Sequence, residues 1–110
     1  MEERKLLSKC EEQVMVIIWD SLPKKLSLME ITDKANKRYK REWNPKTIST
    51  FLARLVSKKY VSSYRQGRVF YYEVLVSKKE YAMAVQSDFC KLFSIPEEPV
   101  LKLLEESIEN

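Results

Sequence analysis

The chain has 110 residues, of which 45% are apolar and 33% charged, with a net charge of +4; this suits one domain, or one small domain with an appendage, around a single modest core. It holds no histidine, and its two cysteines, Cys10 and Cys90, lie far apart without partners at metal-ligand spacing, which removes histidine acid–base chemistry and argues against a zinc site or any cofactor. No apolar run reaches bilayer length and the N-terminus MEERKLL lacks a signal-peptide core, so the expected location is cytoplasmic, with no membrane partner.

Ser8 with Glu11 three residues later is a capping-box signature. Val14, Met15, Ile18 and Leu22 follow at helical spacing, and the spacing predicts a first helix over roughly Lys9 to Ser21, ended by Pro23. Leu26 is a candidate for a very short strand. Ser27 with Glu30 repeats the capping box, and Leu28, Ile31, Ala35 and Tyr39 share one face of a second helix. Its basic end, KANKRYKRE, suits the negative end of a helix dipole.

Asn44 is a good N-cap and Pro45 a good first-turn residue. Ile48, Phe51, Leu52, Leu55 and Val56 then form an apolar stripe, predicting a third helix from Pro45 to about Lys59. Its other side carries Lys46, Thr47, Thr50, Arg54 and Ser57, all able to donate hydrogen bonds. Trp43 to Arg68 holds six positive side chains and no negative one. From Asn36 to Arg68 ten lysines or arginines stand against one acid, Glu42, whereas residues 97–110 hold five acids and one base, Lys102. Basic charge concentrated in the middle third reads as a footprint for a polyanion.

After the third helix the period changes to two. Val61, Ser63 and Arg65, then Phe70, Tyr72 and Val74, alternate on either side of Gly67, the sole glycine, and predict a hairpin. A two-residue turn at Gln66-Gly67 would pair Arg65 with Arg68, Ser63 with Phe70 and Val61 with Tyr72. Two arginines then flank the tip. Ser77 with Glu80 caps a fourth helix running to about Phe93, marked by Tyr81, Val85, Phe89 and Leu92. Ser94 with Glu97 suggests a cap for a fifth, marked by Val100 or Leu101, Leu104 and Ile108.

The fold class expected is mainly α with a small β-hairpin: a winged helix–turn–helix over residues 1–76, then C-terminal dimerisation helices over residues 77–110. In that architecture the third helix enters the DNA major groove. The late helices keep apolar stripes that need cover, and a second copy of the chain is the expected one. Tyr81, Val85, Phe89, Leu92, Leu101, Leu104 and Ile108 are the candidate dimer contacts.

Three strings carry a family resemblance: Glu11-x-x-Val14-Met15-x-x-Ile18-Trp19, Trp43-x-Pro45-Lys46-Thr47-Ile48-x-Thr50-x-Leu52-x-Arg54-Leu55 and Gly67-Arg68-x-Phe70-x-Tyr72. Together they resemble the BlaI/MecI/CopY family of penicillinase, methicillin-resistance and copper-homeostasis repressors. The resemblance implies a homodimeric repressor on a dyad-symmetric operator of double-stranded DNA in a bacterial promoter. It implies that Lys46, Thr47, Thr50 and Arg54 face DNA, with the Gly67-Arg68 wing on the backbone. Three departures stand out. Lys59 occupies the place where the family commonly has glycine. The cysteine-rich motif of the copper branch is absent. The tail is short and lacks the longer segment where members are cut during induction, which bears on a regulatory protease as partner.

Among the candidate DNA contacts, Arg54 is the side chain best suited to read a base, since arginine can hold guanine O6 and N7 together. Thr47 and Thr50 suit bases or phosphates. Lys46, Lys58, Arg65 and Arg68 suit phosphates, which position without specifying. Trp19 and Trp43 read as packing residues. The competing reading is a winged-helix protein-interaction module without DNA binding, which the charge distribution disfavours. No carboxylate dyad or glycine-rich phosphate loop supports an enzyme.

Overall fold

A computed structural model of the protein describes residues 6–96. These residues fall into two compact units, one spanning Leu7–Leu75 and one that takes in the chain from Val76 onward.

In the first unit, α1 (Lys9–Ser21) begins at the Ser8 cap. Both arms of the capping box are made: the Ser8 amide donates to Glu11 Oε1 at 2.9 Å, and the Glu11 amide donates to Ser8 Oγ at 3.3 Å. The same box opens α2 (Leu28–Tyr39) at Ser27 and Glu30. Lys24 bonds the Glu30 carboxyl and, with the Ser27 amide, holds its pKa at about 2. The third helix, α3 (Pro45–Ser57), starts where Asn44 Oδ1 accepts the Thr47 amide at 2.9 Å. Val14, Met15 and Ile18 of α1, Ile31 and Ala35 of α2, and Ile48, Leu52 and Leu55 of α3 are all buried, as is Trp19. Apolar burial of this kind contributes about 25 cal/mol per Å² removed from water, so the three stripes, not helix propensity, hold the bundle together.

The expected end of α3 at about Lys59 is two residues too long. The chain leaves the helix through a left-handed residue, Lys59, with φ of 64°. The Tyr60 amide donates to the Leu55 carbonyl at 2.9 Å and the Lys59 amide to the Val56 carbonyl at 3.0 Å. This pair of bonds is the Schellman motif. Tyr60 and Leu55, the residues whose side chains normally meet in that motif, are both fully buried. Left-handed backbone costs a non-glycine residue about 1–2 kcal/mol, partly offset by the greater unfolded-state entropy of glycine. Lys59→Gly should therefore stabilise the protein by about 0.5–1 kcal/mol in urea unfolding; a lower midpoint would show that the lysine side chain makes a compensating contact.

The hairpin consists of β1 (Val61–Gln66) and β2 (Val69–Val74). Its register is not the expected one. Val61 pairs with Val74, Ser63 with Tyr72, Arg65 with Phe70 and Gln66 with Val69. The turn is therefore Gly67-Arg68. Gly67 has φ of 64° and Arg68 does not share that sign, which is the type II′ arrangement with glycine first. A Cβ at Gly67 would meet nothing within 4 Å, so the glycine is required by its dihedral angle and not by crowding. The shift is by two residues along the partner strand, an even number, so each side chain keeps its face. Val61 and Tyr72 remain on the core side and are buried, but Phe70 lies past the core edge and is 49% exposed. On the opposite face Tyr64 and Tyr71 stack with ring centroids 5.8 Å apart. A single bridge joins Ser27 to Tyr71, one residue after the short strand expected at Leu26.

In the second unit, α4 (Lys78–Phe93) opens with the Ser77–Glu80 capping box. Ser94 does not start a new helix. It closes α4 in the left-handed region with φ of 55° and ψ of 42°, whereas an N-cap needs extended backbone. The remainder of the expected fifth helix lies outside the described residues.

Candidate nucleic-acid interface

In α3, Ile48, Leu52 and Leu55 face inward, while Lys46, Ser49, Thr50, Ala53, Arg54 and Ser57 are exposed. Val56, expected on the apolar stripe, is also exposed, at 36%. Apart from Val56, the exposed set follows i, i+3, i+4, i+7, i+8 and i+11 from Lys46, one continuous stripe along the helix. Lys46 and Arg54 make no ion pair among the described residues. Thr50 donates its hydroxyl to the Lys46 carbonyl at 3.1 Å, leaving its oxygen lone pairs outward as acceptors. Thr47 is half-buried. Its hydroxyl lies 3.3 Å from Asn44 Oδ1, which also takes its amide, so Thr47 serves the cap first. Ser49 and Ala53 belong to the exposed stripe but were not among the expected contacts; the spacing from Lys46 was the signal that would have found them.

Lys58 is a correction. It was expected on the phosphate side, but its Nζ lies 2.7 Å from Glu11 Oε1. The Glu11 side chain is 2% exposed and that of Lys58 25%. Burial pushes the Glu11 carboxyl up, but the Lys58 ammonium and the Ser8 amide outweigh it and hold the pKa below its ordinary 4.5. Lys58 is thereby committed to tying the exit of α3 to the first turn of α1.

At the hairpin tip, Arg65 folds back: its Nε donates to the Gly67 carbonyl at 2.7 Å, and its guanidinium sits 5.8 Å from the Phe70 ring centre. Arg65, an exposed residue, thus braces the turn. Arg68, at the turn, is exposed. Between α3 and the hairpin runs an open groove of about 310 Å³, lined by Ser49, Ala53 and Val56 on one side and Ser63, Phe70 and Tyr72 on the other. The geometry is a helix face and a β-hairpin flanking a furrow.

The fold has counterparts among known proteins. The family model described as penicillinase repressor matches residues 7–109. The chain belongs to the penicillinase repressor family. It is 30% identical over 87 residues to the penicillinase repressor of Bacillus licheniformis, covering 79% of this chain and 65% of that protein. It is 30% identical over 83 residues to the methicillin resistance regulatory protein MecI of Mammaliicoccus sciuri, covering 76% and 64%. The match thus spans just under two thirds of these relatives' length. Among solved structures, the DNA-binding domain of the repressor BlaI superposes with a TM-score of 0.60 at 31% identity, over 74% of this chain and 94% of that one. The Bacillus licheniformis BlaI monomer in complex with the blaP half-operator superposes with a TM-score of 0.57, also at 31% identity. The winged-helix reading of the family's fold therefore holds for this chain.

On α4, several of the residues expected to meet a second copy are exposed. Phe89 is 50% exposed and Leu92 77%, with Val85, Phe93 and Ile95 also open. The rings of Phe89 and Phe93 lie 4.8 Å apart, tilted by 45°. Tyr81, expected on the same surface, is buried at 6% exposure. Leu101, Leu104 and Ile108 lie outside the described residues. Among the described residues no helix is long and apolar enough to cross a membrane.

Proposed function

We infer that this protein is a sequence-specific DNA-binding repressor that acts as a homodimer on a dyad-symmetric operator. The observation that carries the reading is the uncommitted stripe Lys46, Ser49, Thr50, Ala53, Arg54 and Ser57 on α3, in a fold whose relative BlaI is known in complex with a half-operator. Residues 1–76 form the DNA-binding part and residues 77–110 the dimerisation part. Each protomer sets α3 in a major groove, and the two half-sites lie one helical turn apart or a multiple of it. Arg54 reads a base, Thr50 and the small side chains of Ser49 and Ala53 let the helix approach closely, and Lys46, Arg65 and Arg68 hold phosphates. Val85, Phe89, Leu92 and the apolar residues of the tail join the copies. The bound dimer excludes polymerase from the promoter by occupying it.

Titration of genomic promoter fragments with the wild type and Arg54→Ala tests this. A complex of two chains per operator is expected, with Arg54→Ala weakening operator binding by about 1–3 kcal/mol and relaxing selectivity at one base position. Equal losses on operator and random DNA would remove Arg54 from base reading. A single chain per dyad would remove the dimer.

A further inference from the structure

We propose that Asn36 is the positioning residue that sets the angle at which α3 meets DNA, an inference that rests on the DNA-reading role of α3. Asn36 sits in the last turns of α2. Its side-chain Nδ2 donates to the Trp43 carbonyl at 2.8 Å, and its Oδ1 accepts the Trp43 amide at 3.0 Å. A primary amide carries a donor and an acceptor in one plane, as a peptide does. Asn36 therefore holds both backbone groups of one residue as a neighbouring strand would. Both bonds can be made only in one relative orientation of the α2 end and residue 43. Residue 44 is the N-cap of α3, so that orientation passes directly into the helix.

Two further contacts lock the same joint. The Arg41 guanidinium lies 4.7 Å from the Trp43 ring centre, and the Trp43 ring meets Phe51, two turns into α3, edge-on at 5.4 Å and 75°. The turn itself is entered through left-handed Lys40, with φ of 54°. The lever is long: Arg54 lies about 15 Å along the helix from the Asn44 cap at 1.5 Å per residue. A tilt of about 10° at the joint would move Arg54 by about 2–3 Å, well outside the ~0.5 Å that a bidentate contact tolerates. Aspartate lacks the donor and glutamine is one methylene too long, so no other side chain reproduces both bonds.

The test compares Asn36→Ala and Asn36→Asp with the wild-type full chain, each with and without Arg54→Ala, on operator and random duplex. Losing the joint should weaken operator binding about tenfold, the order of one base contact, and leave random-sequence binding within about twofold, since phosphate attraction needs no set angle. In the Asn36→Ala background, adding Arg54→Ala should cost about twofold at most, because the contact is already lost. Asn36→Asp keeps the acceptor and should fall between. If operator and random affinities drop together, or Arg54→Ala costs as much in either background, Asn36 merely supports the fold. Should Asn36→Ala not fold, the same comparison is made with Asn36→Asp. A wild-type chain that does not prefer any operator over random DNA would instead overturn the DNA-reading role, and the two failures are thereby distinct.

Discussion

Replacing Lys58 with alanine should destabilise the protein by about 3 kcal/mol, toward the lower end of what breaking a buried ion pair costs. Glu11 is the reason. Its carboxylate is 2% exposed, and without Lys58 it keeps only the Ser8 amide and hydroxyl as partners. Those two bonds place the effect at the low end of the range. The pH dependence gives the sign. In the wild type the folded Glu11 pKa lies below its ordinary value, so the ionised pair contributes stability above the unfolded pKa near 4.5 and loses it as the pH falls through the lower folded value. In Lys58→Ala only the Ser8 bonds are left to oppose burial, and the pKa rises from its wild-type position. The gap between variant and wild type should therefore narrow as acid protonates Glu11 in both. Urea midpoints at neutral pH and near pH 4 check this. A gap under about 1 kcal/mol at neutral pH, typical of a solvated surface pair, would refute the assignment. Converting the pair to Glu11→Gln with Lys58→Met should recover much of the loss, because no buried charge remains.

The position of that pair shows what a sequence conveys and what it hides. The three helix starts of the first unit were legible because Ser8-Glu11, Ser27-Glu30 and Asn44-Pro45 are local signals, each read within four residues. Lys46, Thr50, Arg54 and Ser57 on the solvent side of α3 were legible from periodicity, whereas Val56 lies exposed and Thr47 half-buried against expectation. The end of α3 was not legible. A left-handed exit is normally announced by glycine, and here a lysine takes φ of 64°, so nothing in Lys58-Lys59 reads as a stop. The hairpin was legible in kind but not in register, because a lone glycine serves either central position of a two-residue turn. The faces survived that error since they depend only on parity. Glu11 and Lys58 are 47 positions apart, and Asn36 reaches seven residues to Trp43. Such pairings are products of the packed bundle, and no spacing rule announces them. Periodicity has the same limit in α4, where Tyr81 shares the helical spacing of Val85, Phe89 and Leu92 yet is buried while they are exposed.

Operator affinity should fall about 10³-fold between 50 and 200 mM salt. Lys46, Arg65 and Arg68 give each protomer three cations for phosphates once Lys58 is set aside, and a dimer then neutralises about six, for a slope of about −5 in log K against log salt. Their placement argues for backbone contact over base reading. Lys46 stands at the mouth of α3, where helix-terminal amides already favour an anion. Arg68 sits in the two-residue turn and Arg65 on β1 opposite Phe70, both toward the tip of the hairpin. Arg68→Ala should make the slope shallower by about 2, one phosphate per protomer, while leaving the ranking of operator sequences unchanged. Lys58→Met should leave the slope as it is, since that ammonium already neutralises Glu11. Anisotropy titrations across a salt series measure all three slopes. If Lys58→Met flattens the line as much as Arg68→Ala does, the ammonium leaves Glu11 for DNA, and the brace between α1 and the exit of α3 opens on binding. A wild-type slope shallower than about −2 would mean that the basic middle third contributes little to affinity, and that the stripe on α3 binds by shape alone.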